Sequence, residues 1–239
     1  MGRVSFRVGA ALLIGVVALG LAWFATADEQ PLYLTPAQID FSKMLPPPTS
    51  DDSEATKLEM AELHRVIQDS SPERKARARY DHDNQDLTIY NELFGPGFDL
   101  TRLSLTKKLF DEVQHDRRAA TDLAKETFRR RRPAIQDPTL AHCGESWDPN
   151  SSYPSGHSAW GFSSGVVLAA MVPEKAPAIL ARSREFAESR MVCGMHFRSD
   201  TVAGQVVGTV VGERLLANPA FKVKFDAAAT ELRAAIPKP

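Results

Sequence analysis

Prolines and glycines divide this chain into segments of helical length, and that division is what most constrains its fold. Pro72 suits the first turn of a helix, Gly95-Pro96-Gly97 interrupts the chain, and Pro133 and Pro173 end two further helical patterns. Between these breaks, apolar residues recur at helical spacing, and no stretch alternates apolar with polar residues as a half-buried strand would. The sequence therefore predicts an all-α fold, a compact bundle-like domain of packed helices.

The predicted helices follow directly from these breaks. They begin at about residues 53, 72, 103, 155, 177, 199 and 219, and the last five run to about 131, 171, 191, 217 and 236. Residues 134–153 are predicted to form a loop. Residues 28–53, with the run Pro46-Pro47-Pro48 and little apolar periodicity, are predicted to be an extended segment ahead of a helical domain covering residues 54–239.

The first 27 residues have the pattern of a secretory signal peptide. Arg3 and Arg7 precede an apolar run that ends near Phe24, and the small residues Ala25-Thr26-Ala27 follow before the chain turns polar. We expect cleavage near Ala27 and a periplasmic or secreted mature protein. An uncleaved membrane anchor is the alternative, because the run is nearly long enough to span a bilayer. No later segment is comparably apolar, so we expect a mature form that is not membrane-embedded.

Charge and cysteine content narrow the class of protein further. Removing residues 1–27 takes away two arginines and no acid, so the formal charge changes from −1 to −3. No basic field points to a nucleic-acid partner. The two cysteines, Cys143 and Cys193, are an even number in a chain expected to be exported, which favours a disulfide over two separate buried thiols.

Lys125 and Arg132 belong to the first of three polar segments. They are seven residues apart, or two helical turns, so a continuous helix would place both on one side. Pro133 then tends to end the helix, which turns the Arg132 side chain away from its last turn. The alternative is a solvated basic run at a helix end. We interpret residues 129–131, all arginines, as part of such a surface.

The second segment is Tyr153-Pro154-Ser155-Gly156-His157, at the start of a predicted helix. Free backbone amides at such a start favour a bound anion, and Ser155 adds a hydroxyl donor. Gly156 lets the backbone approach closely, and His157 would stand beside the anion. The alternative is an ordinary serine cap followed by a surface histidine.

The third segment runs from Ser189 to Asp200 and contains His196. His196 and Asp200 are four residues apart, so one helical turn would bring them together. A carboxylate on one imidazole nitrogen leaves the other nitrogen with a free lone pair, as a nucleophile requires. An ordinary surface pair at this spacing is the alternative.

Taken together, the three segments resemble the signature of the phosphatidic-acid-phosphatase type 2 (PAP2) and vanadium haloperoxidase superfamily. That signature reads Lys-x6-Arg-Pro, then Pro-Ser-Gly-His, then Ser-Arg-x5-His-x3-Asp, and residues 125–200 match every fixed position. Among its branches, the chain is similar to the bacterial class A non-specific acid phosphatases, which share the signal peptide, the small helical body and the tyrosine before Pro-Ser-Gly-His.

This resemblance implies roles for the matched residues. His196 would be the nucleophile, Asp200 would orient it, and His157 would be the general acid and base. The phosphate-binding residues would be Lys125, Arg132, Ser155, Gly156 and Arg190. A Cys143–Cys193 disulfide would tie the loop before Pro154 to the nucleophile segment. The implied reaction is hydrolysis of small phosphate monoesters at acidic to near-neutral pH, without metal or cofactor, through a phosphohistidine, with phosphotransfer to alcohols as a side activity.

Other functions remain open at the level of sequence. The same motifs occur in vanadate-dependent haloperoxidases, which are usually larger, and a protein that only binds phosphate would keep the same cradle. The run Gly161-Phe162-Ser163-Ser164-Gly165 matches the serine-hydrolase elbow, but it lies inside a predicted helix rather than between a strand and a helix. We interpret it as a helix-packing stretch. The oligomeric state, including a homo-oligomer, is left open.

Overall fold

The computed structural model describes residues 30–144 and 148–237, and this part of the chain is helical with no strand. The all-α prediction is therefore confirmed. None of the helices described is both long enough and apolar enough to cross a membrane. The signal peptide predicted for residues 1–27 lies outside the described residues. The α-helices of the described part are α1 (Pro36–Ile39), α2 (Glu54–Asp69), α3 (Pro72–Asp83), α4 (Ser104–Phe128), α5 (Pro133–Gln136), α6 (Gly156–Met171), α7 (Ala176–Val192), α8 (Arg198–Leu216) and α9 (Pro219–Ala235).

Short polar side chains determine where several of these helices begin. Ser53, Ser71, Ser155 and Asn218 each accept a hydrogen bond from an amide in the first turn of the helix that follows. These caps satisfy amides that have no partner inside the helix. As a result, α2, α3, α6 and α9 start within about a residue of the positions that the sequence predicts.

The end of α4 differs from the prediction. The helix stops at Phe128, because Arg129 adopts a left-handed conformation with φ 47° and its amide bonds to the carbonyl of Lys125. Pro133 does not end α4 but begins α5, and Arg132 before it is extended. Lys125 and Arg132 therefore do not lie on one continuous helix.

Close packing around α6 positions the start of that helix. It lies against α4, α7 and α8. A β-carbon on Gly208 of α8 would lie 2.3 Å from the carbonyl oxygen of Ala159, and one on Gly165 would lie 2.1 Å from Ser183 Oγ of α7. Only glycine permits these approaches. The run 161–165 therefore packs helices together, as predicted.

The segment before α2 is not simply extended. It contains α1 and a 3-10 helix, Phe41–Lys43, and Phe41 is fully buried. The buried carboxylate of Asp116 on α4 accepts hydrogen bonds from the amides of Leu32, Tyr33 and Leu34 at 2.6 to 3.1 Å. These bonds hold the beginning of the described chain against α4.

Candidate active site

The three polar segments of the sequence come together at the start of α6. The Ser155 amide donates to the Asp200 carbonyl at 2.9 Å, which joins the second segment to the third. Lys125 Nζ and Arg132 Nη2 both donate to the Ser151 carbonyl, at 2.6 and 3.2 Å. The first segment is thus joined to the loop that leads into α6. Residues far apart in sequence form one cluster.

His196 lies in the turn between α7 and α8, and its side chain is almost fully buried. Gly194, with φ +62°, makes this turn possible, and a β-carbon there would clash with the Ala141 carbonyl at 2.2 Å. His196 Nε2 accepts a hydrogen bond from Arg132 Nη1 at 3.2 Å. The ring proton therefore sits on Nδ1, and the lone pair of Nε2 faces the cations.

Asp200, in the first turn of α8, is fully buried and held from several directions. Its Oδ2 accepts from Ser152 Oγ at 2.6 Å and from the Phe197 amide at 2.9 Å. Oδ2 also lies 3.5 Å from His196 Nδ1, which is longer than an ordinary hydrogen bond, and Nδ1 has no hydrogen-bond partner among the described residues. The two residues meet across the turn before α8 and not along one helix, since α8 begins at Arg198.

Arg130 corrects one expectation from the sequence. We expected it on the surface, but it is 3% exposed and lies over the Phe197 ring, 4.2 Å from the centroid. It donates to Asp200 Oδ1 at 2.7 Å, to Glu59 Oε2 at 2.8 Å and to Ser199 Oγ at 2.7 Å. Arg130 thereby neutralises the carboxylate beside His196.

The two neighbours of Arg130 remain on the surface, as expected. Arg129 is exposed at the end of α4, and Arg131 is exposed with Asp51 as a distant partner at 3.6 Å. The left-handed conformation of Arg129 ends α4, and of the three successive arginines only Arg130 is buried, while Arg129 and Arg131 are exposed. The sequence spacing could not indicate that Arg130 is buried, because its partner Glu59 lies on α2, about seventy residues earlier.

The cations expected to bind phosphate are concentrated in a buried region. Burial and nearby Arg132 lower the pKa of Lys125 to about 7, and the same two causes lower that of Arg190 to about 9. Among the described residues, Lys125 and Arg190 form no ion pair with a carboxylate within 4.0 Å, whereas the charges of Asp200 and Asp148 act on Arg132. Arg190 is 1% exposed, and its Nε has no hydrogen-bond partner in that part of the chain. Such a group of unpaired cations suits an anionic ligand.

His157, the second residue of α6, stands beside these cations. Burial, then Arg190 and then His196, hold its pKa well below the ordinary value. Its ring stacks between His82 and Phe186, with centroids 6.2 and 5.9 Å away. Without a bound anion, His157 is therefore neutral.

His82, at the end of α3, also belongs to the cluster, although no motif marked it and we expected a structural or surface role. Arg190 Nη1 donates to its Nδ1 at 3.1 Å, and its carbonyl contacts His157 Nε2 at 3.4 Å. Burial and the charge of Arg190 lower the pKa of His82. The packing of α3 against α7 places His82 beside Arg190, and the spacing of these residues in the sequence does not predict that contact.

The disulfide between Cys143 and Cys193 is present, so that prediction is confirmed. The Cys143 amide also donates to the Cys193 carbonyl at 3.0 Å. Together, the two bonds tie the loop before α6 to the turn that carries His196. Across residues 30–144 and 148–237, no three His, Cys, Asp or Glu side chains converge as a metal site would require.

The described residues form an all-helical protein in which several cations, buried His196 and partly buried His157 meet at the start of α6. The model of the PAP2 superfamily matches residues 117–221. A non-specific acid phosphatase from Providencia stuartii is 32% identical over 210 residues, which cover 83% of this chain and 84% of that protein. A non-specific acid phosphatase from Salmonella typhi is 28% identical over 220 residues, or 87% and 86% of the two chains. An acid phosphatase from Zymomonas mobilis is 34% identical over 116 residues, or 47% and 44%.

The chain therefore belongs to the PAP2 superfamily, in the group of the non-specific acid phosphatases. The matched family region begins on α4 and ends in α9, so it contains all three polar segments. The family expected from the sequence motifs is confirmed.

Proposed function

We propose that this protein is an acid phosphatase that transfers the phosphoryl group of small phosphate monoesters first to His196 and then to water. One observation carries the proposal. The Nε2 lone pair of buried His196 faces a cluster of cations, 3.2 Å from Arg132 Nη1, while Nδ1 faces the buried carboxylate of Asp200. This is the arrangement that a neutral, oriented imidazole nucleophile requires.

The phosphate would bind at the start of α6. Lys125, Arg132 and Arg190 would contact its non-transferring oxygens, together with the Gly156 amide, which has no partner inside the helix. Ser155 Oγ already accepts bonds from the Ser158 amide and hydroxyl at 3.3 and 3.0 Å, so its own proton is free to be donated to the anion. Negative charge spreads over these oxygens in the transition state, where fixed donors contribute most to catalysis.

His157 would protonate the leaving alcohol and then activate water. In the free protein, burial and the charge of Arg190 hold its pKa too low for this role. A bound phosphate dianion would offset that charge and raise the pKa of His157, so the acid would be charged only when substrate is present. An alcohol in place of water would give phosphotransfer, which we propose as a side activity.

We further propose that the reaction needs no metal ion. Two arginines and a lysine provide the positive charge that a metal would otherwise supply to the transferring group. Hydrolysis of a chromogenic aryl phosphate should therefore continue at full rate in excess chelator. Loss of activity in chelator that returns with added metal would refute this part of the proposal.

The phosphohistidine is tested by trapping it. Enzyme mixed with a monoester carrying labelled phosphate and quenched rapidly in alkaline denaturant should hold label on the peptide that contains His196. His196→Ala should lose both label and turnover. The matched control is His64→Ala, because His64 is a half-exposed histidine on α2, paired with Asp137 on the surface. Label on another residue, or full turnover by His196→Ala, would contradict the mechanism.

Export to the periplasm or to the medium is also part of the proposal. The disulfide between Cys143 and Cys193 supports it, because such bonds persist in oxidising compartments. Mass spectrometry of protein recovered from the periplasm should give a chain that begins at about Asp28. Protein that keeps its first 27 residues and stays with membranes would support the anchor instead.

A further inference from the structure

Arg117 on α4 is a buried cation to which neither the sequence motifs nor the proposed mechanism gives a role. It is only 3% exposed, and burial lowers its pKa to about 9. Its Nη1 lies 3.4 Å from the point where a β-carbon on Gly156 would stand, and Lys125 Cε lies 4.0 Å from the same point. Arg117 therefore stands next to Lys125 over the first residue of α6, at the edge of the phosphate cradle.

None of the hydrogen bonds that Arg117 makes is to a carboxylate, and Asp122 on the same helix favours its charged form without pairing with it. Nη1 makes a long contact of 3.4 Å with Thr121 Oγ1, and Nη2 donates to the neutral Gln114 Oε1. Nε has no hydrogen-bond partner in the described part of the chain. No carboxylate described in this structure lies within 4.0 Å of its guanidinium. Each of these features is unfavourable for a buried cation in the absence of a ligand.

Other buried arginines of this protein show what a structural role looks like here. Arg130 is ion-paired with Asp200 and Glu59, and Arg182 is ion-paired with Asp81. Arg190, in contrast, is buried without a carboxylate and lies in the proposed phosphate site. Arg117 resembles Arg190 in this respect, so its missing counter-charge is best explained by a ligand.

With Arg117 the cradle contains four cations, more than a single phosphate dianion needs. We propose that Arg117 binds a second phosphate on the leaving group, so that the site favours phosphoanhydrides such as pyrophosphate or a nucleoside diphosphate over esters of uncharged alcohols. This inference rests on the proposed phosphatase function. The place of Arg117, directly beside Gly156 and Lys125, suits a phosphate attached through one bridging oxygen.

A cavity of about 390 Å³ lies next to the partner of Arg117 and offers space for the remainder of such a leaving group. Gln114, which accepts from Arg117, and Gln85 both line it, and its charged lining residues are Lys107, Arg118, Asp86 and Asp111. Gln85 Nε2 in turn contacts the Gly156 carbonyl at 3.4 Å. Gln114 and Gln85 thus connect the wall of the cavity to Arg117 and to the start of α6.

The reaction balances with water as the only co-reactant. His196 Nε2 forms a bond to the terminal phosphorus while the bond from that phosphorus to the bridging oxygen breaks. The departing phosphate keeps the bonding electron pair and takes the proton of His157, while Arg117 stabilises the charge that remains on it. Water then attacks the phosphohistidine, the nitrogen–phosphorus bond breaks, and a proton of the water passes to His157. A charge-assisted contact of this kind is worth roughly ten- to hundred-fold in affinity or rate.

The first test compares kcat/KM for pyrophosphate with kcat/KM for phenyl phosphate, in chelator at about pH 6. Arg117→Gln should lower the pyrophosphate-to-phenyl-phosphate ratio roughly ten- to hundred-fold, and Arg117→Lys should restore part of it. Lys108→Gln is the matched control, because it removes one positive charge from an exposed position on the same helix and should leave the ratio unchanged. A ratio that is the same in Arg117→Gln and wild type would overturn the inference.

A second test needs neither turnover nor a variant. By calorimetry, the wild-type protein should bind methylenediphosphonate at least about ten-fold more tightly than methylphosphonate. Equal affinities would overturn the role of Arg117, even if Arg117→Gln failed to fold. A preference for the diphosphonate in a protein that hydrolyses neither pyrophosphate nor phenyl phosphate would refute the phosphatase proposal and leave the assigned binding role standing.

Discussion

The charge of Lys125 should set the alkaline side of the activity profile. Burial and the neighbouring Arg132 favour the neutral amine and bring its pKa down to about 7. The ammonium proposed to contact phosphate is therefore present below about pH 7 and lost above it. His196 behaves differently, because burial and three cationic neighbours hold its pKa well below the ordinary value, which keeps Nε2 unprotonated in mildly acidic solution. We therefore expect the unprotonated His196 and the charged Lys125 to be present together only on the acidic side of neutrality.

The size of the effect follows from that pKa. With a value of about 7, roughly nine-tenths of the Lys125 side chains carry charge at pH 6 and roughly one-tenth at pH 8. If the charged form alone binds phosphate productively, kcat/KM falls about tenfold over that interval and about tenfold for each further pH unit. Lys125→Arg keeps a charge that does not titrate in this range, so its alkaline limb should move up by at least about one unit.

The assay is kcat/KM for one aryl phosphate between about pH 5 and pH 9, at constant ionic strength, for wild type and Lys125→Arg. The substrate itself loses a proton near pH 6, but this change cancels in the ratio of the two enzymes. The ratio of wild type to variant should fall steadily above about pH 7. Lys108→Arg, an exposed change on the same helix, should give a flat ratio. A flat ratio for Lys125→Arg as well would refute the assignment of the alkaline limb to Lys125.

Three further predictions concern stability. Arg130→Met should lower the free energy of unfolding by about 3 to 5 kcal/mol, because it leaves the fully buried Asp200 carboxylate unpaired. The control, exposed Arg131→Met, should change that free energy by less than about 0.5 kcal/mol. Equal effects of the two substitutions in urea titrations would contradict the buried role of Arg130. Replacing Cys143 and Cys193 by serine should cost about 4 kcal/mol, since the disulfide closes a loop with a sequence separation of 50, and an unchanged unfolding midpoint would be the contrary result. Gly208→Ala should cost about 1 to 3 kcal/mol by thermal unfolding, because its methyl group would lie 2.3 Å from a backbone oxygen of α6, and an unaltered Tm would show that the helices can separate.

Motif positions could be predicted from sequence because each motif lies at the end or start of a single element. Ser155 caps α6 and Pro154 precedes it, so a few adjacent residues define an anion site at a helix start. The disulfide was also predictable, because two cysteines in a chain expected to be exported have one pairing to form. Lys125 and Arg132 were correctly grouped, but for the wrong reason. They meet through the Ser151 carbonyl after the chain leaves α4, not along one helix face.

Arg130, His82 and Arg117 show what local reasoning could not reach. None of them occupies a fixed position of a motif, and the partners that Arg117 has at helical spacing, Gln114 and Thr121, are uncharged. Their roles depend on contacts between elements: Arg130 with α2 and α8, His82 with α7, and Arg117 with the start of α6. A run of four arginines reads as one surface patch in sequence, and only the turn at Arg129 separates the buried member from the exposed ones.

By itself, then, the sequence determined the helical class and the family and indicated the residues proposed to react, because helix periodicity, caps and motifs are properties of short segments. Tertiary structure alone decided which cations are buried and which of them are paired. Burial and pairing depend on elements that lie far apart in the chain, and they control the charge at the site. The low pKa of Lys125 and the position of the Arg117 guanidinium, which has no ion pair among the described residues, both arise in this way, so we expect packing rather than motif to set the working pH and the range of substrates.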